Sequence, residues 1–129
     1  MNTEEMEMLI KDFYTVESLA VEEGKLQAII VLNKEHSIFK GHFPGNPVMP
    51  GVCSMQIIKE LTQHHLACRL QLTSSSNVKF MSLINPEKSN VLRFENEISE
   101  DETGIVKVKN TTYFQEDVAL KLVNSYKKI

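Results

Sequence analysis

Gly41-His42-Phe43-Pro44-Gly45-Asn46-Pro47-Val48-Met49-Pro50-Gly51 runs directly into the apolar stretch Val52-Cys53-Ser54-Met55-Gln56-Ile57-Ile58-Lys59-Glu60-Leu61. Three glycines and three prolines in the first eleven positions dictate an unusual backbone path. Glycine admits positive φ and close approach, whereas each proline locks φ and removes a donor. A loop stiffened this far around one histidine holds that imidazole in place. Pro50 and Gly51 then open a helix, because proline suits the mouth of a helix and not its interior. His42 is expected beside a helix N-terminus, a pairing suited to chemistry on a carbonyl compound.

Outward from this stretch, Leu26, Ala28, Ile30 and Leu32 alternate with Gln27 and Asn33, the period of a strand. Glu22-Glu23-Gly24 marks a turn from an earlier strand spanning Phe13 to Val21. The helix is expected to end near Arg69 or Leu70. Beyond it Val78 and Phe80 flank Lys79, and Val91 to Ile98 follows the Asn85-Pro86 turn. Val106 and Val108 flank Lys107 after Asp101-Glu102-Thr103-Gly104, and Val118 to Val123 closes the set. Two strands, one long helix and about four strands joined by short turns favour antiparallel pairing. The class is therefore α+β, with the helix packed on one curved sheet. No second helix covers it, which predicts a dimer. On the helix, Ile57, Ile58, Leu61 and Cys68 share the arc expected to face the sheet, while Gln56, Lys59, Glu60 and Gln63 share the opposite arc.

A chain of 129 residues, 42% hydrophobic and 24% charged, is one domain, 1–129, able to bury a core without staples. Its net charge of −3, with 14 Lys and Arg scattered among 17 acids, leaves no electrostatic footprint for nucleic acid. Met1 to Met8 is acidic and lacks the apolar core of a signal peptide, and no stretch reaches membrane-spanning length. No membrane insertion is expected, the cytoplasm is the expected compartment, and the Asn110-Thr111-Thr112 sequon is expected to be silent. Cys53 and Cys68, placed on one helix, would lie about 22 Å apart, too far for a disulfide. Cys53 reads as a small core residue, with thiol chemistry at the helix terminus a minor alternative. His36 reads as the polar start of a short turn. His64 and His65 suit the negative end of the helix dipole, and no third ligand has the spacing for a metal.

His36-x-x-Phe39-x-Gly41-His42-Phe43-Pro44-Gly45-Asn46-Pro47-Val48-Met49-Pro50-Gly51-Val52 resembles, over about seventeen positions, the signature of the β-hydroxyacyl-[acyl carrier protein] dehydratases of the FabZ and FabA type. The family's N-terminal Pro-His-Arg-Tyr-Pro-Phe segment has no counterpart here. The resemblance implies a hotdog fold: a long central helix wrapped by a curved antiparallel sheet of about six strands, dimeric. It implies elimination of water from a (3R)-3-hydroxyacyl thioester to give a trans-2-enoyl product, in fatty-acid or related polyene and polyketide synthesis. His42 would be the general base, the Gly51 N–H would bind the thioester oxygen, and the Val48 carbonyl would steady the histidine. Phe43, Met55 and Val52 would line the acyl site at a homodimer interface. The partner would be an acyl carrier protein, whose phosphopantetheine arm brings the substrate, so neither metal nor bound cofactor is needed. These roles also make chemical sense: a base near neutral pKa suits an α-proton. Helix N–H donors suit an enolate oxygen, at about 3 kcal/mol each.

The family places a carboxylate six positions after the motif's last proline; here that position holds Gln56. An amide hydrogen-bonds a hydroxyl but delivers no proton to leaving hydroxide, and losing a general acid costs roughly 10²–10⁴-fold in rate. Three explanations arise. Glu60, one turn along, replaces it, which is the favoured reading; His42 returns its own proton while Gln56 orients the hydroxyl; or this chain is a weak subunit paired with an active homologue. Two other functions stand beside dehydration: an acyl-thioesterase using Glu60 to activate water, and a non-catalytic acyl-binding or heterodimer subunit.

Overall fold

The computed structural model describes residues 10–41, 45 and 47–129. The alternating segments form six strands: β1 (Tyr14–Glu22), β2 (Lys25–Leu32), β3 (Leu70–Phe80), β4 (Val91–Glu100), β5 (Val106–Phe114) and β6 (Asp117–Lys128). They make one sheet in the order β1-β2-β4-β5-β6-β3, antiparallel at every junction. After β2 the chain leaves the sheet, forms α1 (Ser37–Gly41) and α2 (Gly51–Leu66), and re-enters at the opposite edge with β3. The connection from β2 to β3 carries the helix across the face of the sheet, and the chain then returns from the β3 edge to pair β4 with β2. The six strands, the central helix and the antiparallel order are those expected from the sequence.

The sheet turns its inward phase to α2. Leu26, Ala28, Ile30 and Leu32 of β2, Leu92 and Phe94 of β4, Val106 and Val108 of β5, and Leu120 and Leu122 of β6 are buried with Ile57, Ile58 and Leu61. Amides and a hydroxyl join the apolar contacts at the sheet centre. The Asn96 amide donates to the Ile58 carbonyl at 3.4 Å and to Thr62 Oγ1 at 3.3 Å, and Asn110 donates to Asn96 Oδ1 at 2.7 Å. These buried bonds tie α2 to β4 and β5. Asn110 is 1% exposed, so the sequon is inaccessible in the folded chain.

Three expectations need correction. First, α2 stops at Leu66, short of Arg69. Ala67 turns left-handed at φ 54 and ψ 41, and the Ala67 and Cys68 N–H groups donate to the His64 and Gln63 carbonyls. Cys68 therefore lies beyond the helix and not on its sheet-facing arc; both cysteines are free. Second, the buried arc spans about 200° at 100° per residue, because the sheet curves around the helix. Glu60, assigned to the opposite arc, is only 3% exposed. Third, β3 begins at Leu70, eight residues before Val78. Its Thr73-Ser74-Ser75-Ser76 run shows no apolar alternation because β3 is an edge strand, bonded only to β6 and largely exposed.

α1 was not anticipated as a helix. His36 sits at its start: Nδ1 accepts the Ile38 N–H at 3.1 Å, so Nε2 carries the proton and donates to the Lys11 carbonyl at 3.0 Å. With its ring edge-on to Phe13, His36 anchors the chain leading into the glycine-proline loop.

Candidate active site

Pro50 precedes α2 with φ −62 and ψ 143 and no side-chain cap. The N–H of Cys53 donates back to the Pro50 carbonyl at 3.0 Å, while the N–H groups of Gly51 and Val52 meet no acceptor among the described residues. A helix mouth of this kind presents free donors and the positive end of the dipole.

A cleft of about 250 Å³ opens against this mouth. Val48, Met49, Pro50 and Gly51 form one wall, Phe80, Ser82, Leu83 and Ile84 the other, and Ala119 and Leu120 the floor. The walls are stitched by the Met49 N–H, which donates to the Ile84 carbonyl at 2.8 Å. The Phe80 ring lies over the Gly51 Cα: a Cβ at position 51 would stand 2.9 Å from Phe80 Cζ. Glycine suits this close approach, since any side chain at position 51 would press on the ring. The lining is apolar except for the hydroxyls of Ser54 and Ser82, a composition suited to a short length of acyl chain.

One turn further along α2, Gln56 Nε2 donates to Glu60 Oε2 at 2.8 Å. The Tyr14 hydroxyl, at the start of β1, donates to Glu60 Oε1 at 2.9 Å. Burial, and then the Glu60 charge beside it, push the Tyr14 phenol far above the ordinary tyrosine range, so it remains a donor at any physiological pH. Cys53 lies just inside the helix, where the dipole favours thiolate. Burial pushes its thiol up instead, so it is a packed core group and not a nucleophile.

Val48 and Gly51 thus meet in the cleft. Val52 is 76% exposed and does not line it. Met55 packs beside Asn124, whose Nδ2 lies 3.9 Å from Met55 Sδ. Gln56 and Glu60 are joined directly, and His42 and Phe43 lie outside the described residues. Sequence reading missed Tyr14, Ser54 and Phe80. Tyr14 carries no local signal, because its partner is 46 residues away. Among the described residues no three His, Cys, Asp or Glu side chains gather as for a metal ion, and no helix is long and apolar enough to cross a membrane.

A curved antiparallel sheet wrapped around one helix, with the helix mouth opening on an apolar cleft, defines a hotdog-fold protein. The family of ApeI-like dehydratases matches residues 18–119, and the chain belongs to it. It is 31% identical over 119 residues to the 3-hydroxyacyl-[acyl-carrier-protein] dehydratase FabZ of Zymomonas mobilis, covering 87% of this chain and 73% of that one. The FabZ of Caldicellulosiruptor saccharolyticus is 29% identical over 108 residues, covering 78% and 76%. Among solved structures, the dehydratase heterocomplex ApeI:P from Xenorhabdus doucetiae superposes with a TM-score of 0.68 at 21% identity, over 87% of this chain and 96% of that one. A hypothetical thioesterase with coenzyme A from Streptococcus pneumoniae reaches 0.62 at 13% identity, over 90% and 85%. At these identities the solved structures speak for the fold.

Proposed function

We propose that this chain is a (3R)-3-hydroxyacyl-[acyl carrier protein] dehydratase, producing a trans-2-enoyl thioester for fatty-acid or related polyene and polyketide synthesis. Membership of a dehydratase family supports the reaction class. The observation that carries the site is the unpaired helix mouth at Gly51 facing an apolar cleft. The Gly51 N–H takes the thioester oxygen and stabilises the charge that develops when His42 removes the α-proton. The Val48 carbonyl steadies the imidazole, and the acyl chain lies along Val48 with Phe43 and Met55; Val52, which points to solvent, takes no part. The carrier protein supplies phosphopantetheine, so the reaction draws on no metal and no resident cofactor, in the cytoplasm.

The working unit is a homodimer in which His42 of one copy faces α2 of the other. The edge of β3 supports this assembly: Leu72, Val78 and Phe80 are exposed apolar residues on a strand with one neighbour, continued by exposed Met81 and Leu83. Apolar edges of this kind are normally covered. The Xenorhabdus heterocomplex makes a different hotdog chain the alternative partner, and Gln56 gives that alternative its motive. Hydrolysis is less well supported, since Glu60, the carboxylate that would activate water, is buried beneath bonded neighbours.

Incubation with a 3-hydroxyacyl carrier protein separates these readings. Absorbance of a conjugated enoyl thioester, with no thiol released, is the expected result. Release of the carrier thiol would make the protein a thioesterase, and an inert, folded dimer would make it a non-catalytic subunit.

A further inference from the structure

We propose that Tyr14 and Glu60 are positioning residues that hold the Gln56 amide with its carbonyl oxygen turned toward the leaving hydroxyl, so that His42 alone carries the proton. This rests on the dehydratase reading above and extends it to the missing acid. The starting point is the orientation of Gln56. A carboxylate accepts hydrogen bonds and donates none, so the side chain that meets Glu60 Oε2 at 2.8 Å must present its NH₂. Its Oε1 is thereby directed elsewhere, and among the described residues it accepts no hydrogen bond. Glu60 cannot rotate to release this arrangement, because its other oxygen is held by the Tyr14 hydroxyl at 2.9 Å. Glu60 is 3% exposed and Tyr14 is likewise buried, whereas Gln56 is partly exposed. The order from the core outward is therefore Tyr14, Glu60, Gln56, and only the last stands at the surface of α2.

The chemistry follows from that order. A carbonyl acceptor takes the O–H of the substrate hydroxyl and leaves the oxygen lone pairs free. His42 removes the α-proton, and the electron pair forms the C2–C3 double bond as the C3–O bond breaks. The departing oxygen keeps the bonding pair, receives the proton now on the His42 imidazolium, and leaves as water. Histidine returns to its neutral form, and no other reactant is consumed. The buried Glu60 charge polarises the Gln56 amide and makes its carbonyl a stronger acceptor. Glu60 shapes the step without giving up a proton.

The test is a kinetic double-mutant cycle on the homogeneous protein with a 3-hydroxyacyl carrier protein, using Tyr14→Phe, Gln56→Ala and both together, with Glu60→Gln and His42→Ala alongside. Tyr14→Phe is expected to lower kcat about tenfold by loosening the amide, with KM nearly unchanged. In the Gln56→Ala background it is expected to lower kcat no further, because its effect passes through Gln56. Multiplicative losses would show that Tyr14 merely supports the fold and overturn the proposal. Glu60→Gln falling as low as His42→Ala would also overturn it, by making Glu60 the acid. A second readout does not depend on turnover: the side-chain NH₂ protons of Gln56 are expected to exchange slowly in the native protein and quickly in Glu60→Gln. Fast exchange in the native protein would overturn the arrangement even in an active enzyme. An inactive native protein with slow exchange would instead overturn the dehydratase reading and, with it, the assigned role.

Discussion

The contact between Gly51 and Phe80 gives the sharpest quantitative prediction, because one methyl group probes the cleft wall. In Gly51→Ala the new Cβ stands 2.9 Å from Phe80 Cζ and 3.1 Å from Cε1, inside ordinary contact distance. Overpacking of this kind costs about 1–3 kcal/mol, and the lower end applies because the contact falls on the tip of the Phe80 ring and not on backbone. Against that, Gly51 does not require positive φ, so alanine gains about 0.4–1 kcal/mol by restricting the unfolded chain. The single variant should therefore sit within about 1 kcal/mol of the parent in stability. In a Phe80→Ala background the clash is gone and the same change should stabilise. Urea denaturation of the four proteins should return a coupling of about 1 kcal/mol, whereas sites that do not touch add within about 0.3–0.5 kcal/mol. Dehydration should fall in Gly51→Ala, since the displaced ring alters the cleft around the donor N–H, and should recover partly in the double variant. Coupling inside the additive limit would refute the packing of Phe80 on Gly51.

Other consequences follow from the buried groups. Asn96→Ala leaves the Asn110 amide without its acceptor and should cost about 1–3 kcal/mol in chemical denaturation, with the fold retained. Leu61→Ala, at a fully buried site under the sheet, should cost about 2–5 kcal/mol in the same assay. Cys68 should react with an alkylating reagent before Cys53, whose thiol is both buried and pushed up; equal rates in native protein would contradict the packing of the helix mouth. Tyr14 is raised above its ordinary value in the fold, so the folded chain binds the proton more tightly than the unfolded one. Its contribution is complete below the unfolded value, near 10, and is lost as pH rises beyond it. Melting temperature should decline more steeply above about pH 10 in the parent than in Tyr14→Phe.

The glycine-proline stretch and the strand alternation made most of the architecture legible. Leu26 to Leu32 and Val106 to Val108 alternate in the chain because one face of each strand meets the helix and the other meets water. The same logic failed at β3, where Thr73 to Ser76 lie on a mostly exposed edge strand and leave no pattern to read. The helix end was missed because Ala67 adopts a left-handed conformation that glycine would have signalled and alanine does not. Gly51 and Val48, which line the cleft, were visible as candidates because their motif is local. Tyr14 and Phe80 were not, since each meets α2 through a strand distant in sequence. Glu60 was placed on the arc opposite the sheet by its angular position. Only the curvature of the sheet around α2 reveals that it is buried between Tyr14 and Gln56.

The most direct test of the account is intact mass measurement of a 3-hydroxyacyl carrier protein after incubation with the native protein and, separately, with His42→Ala. The account predicts loss of one water from the acyl group with the native protein and no loss with the variant. Persistence of dehydration in a folded His42→Ala protein, or an unaltered acyl group with the native one, would contradict it.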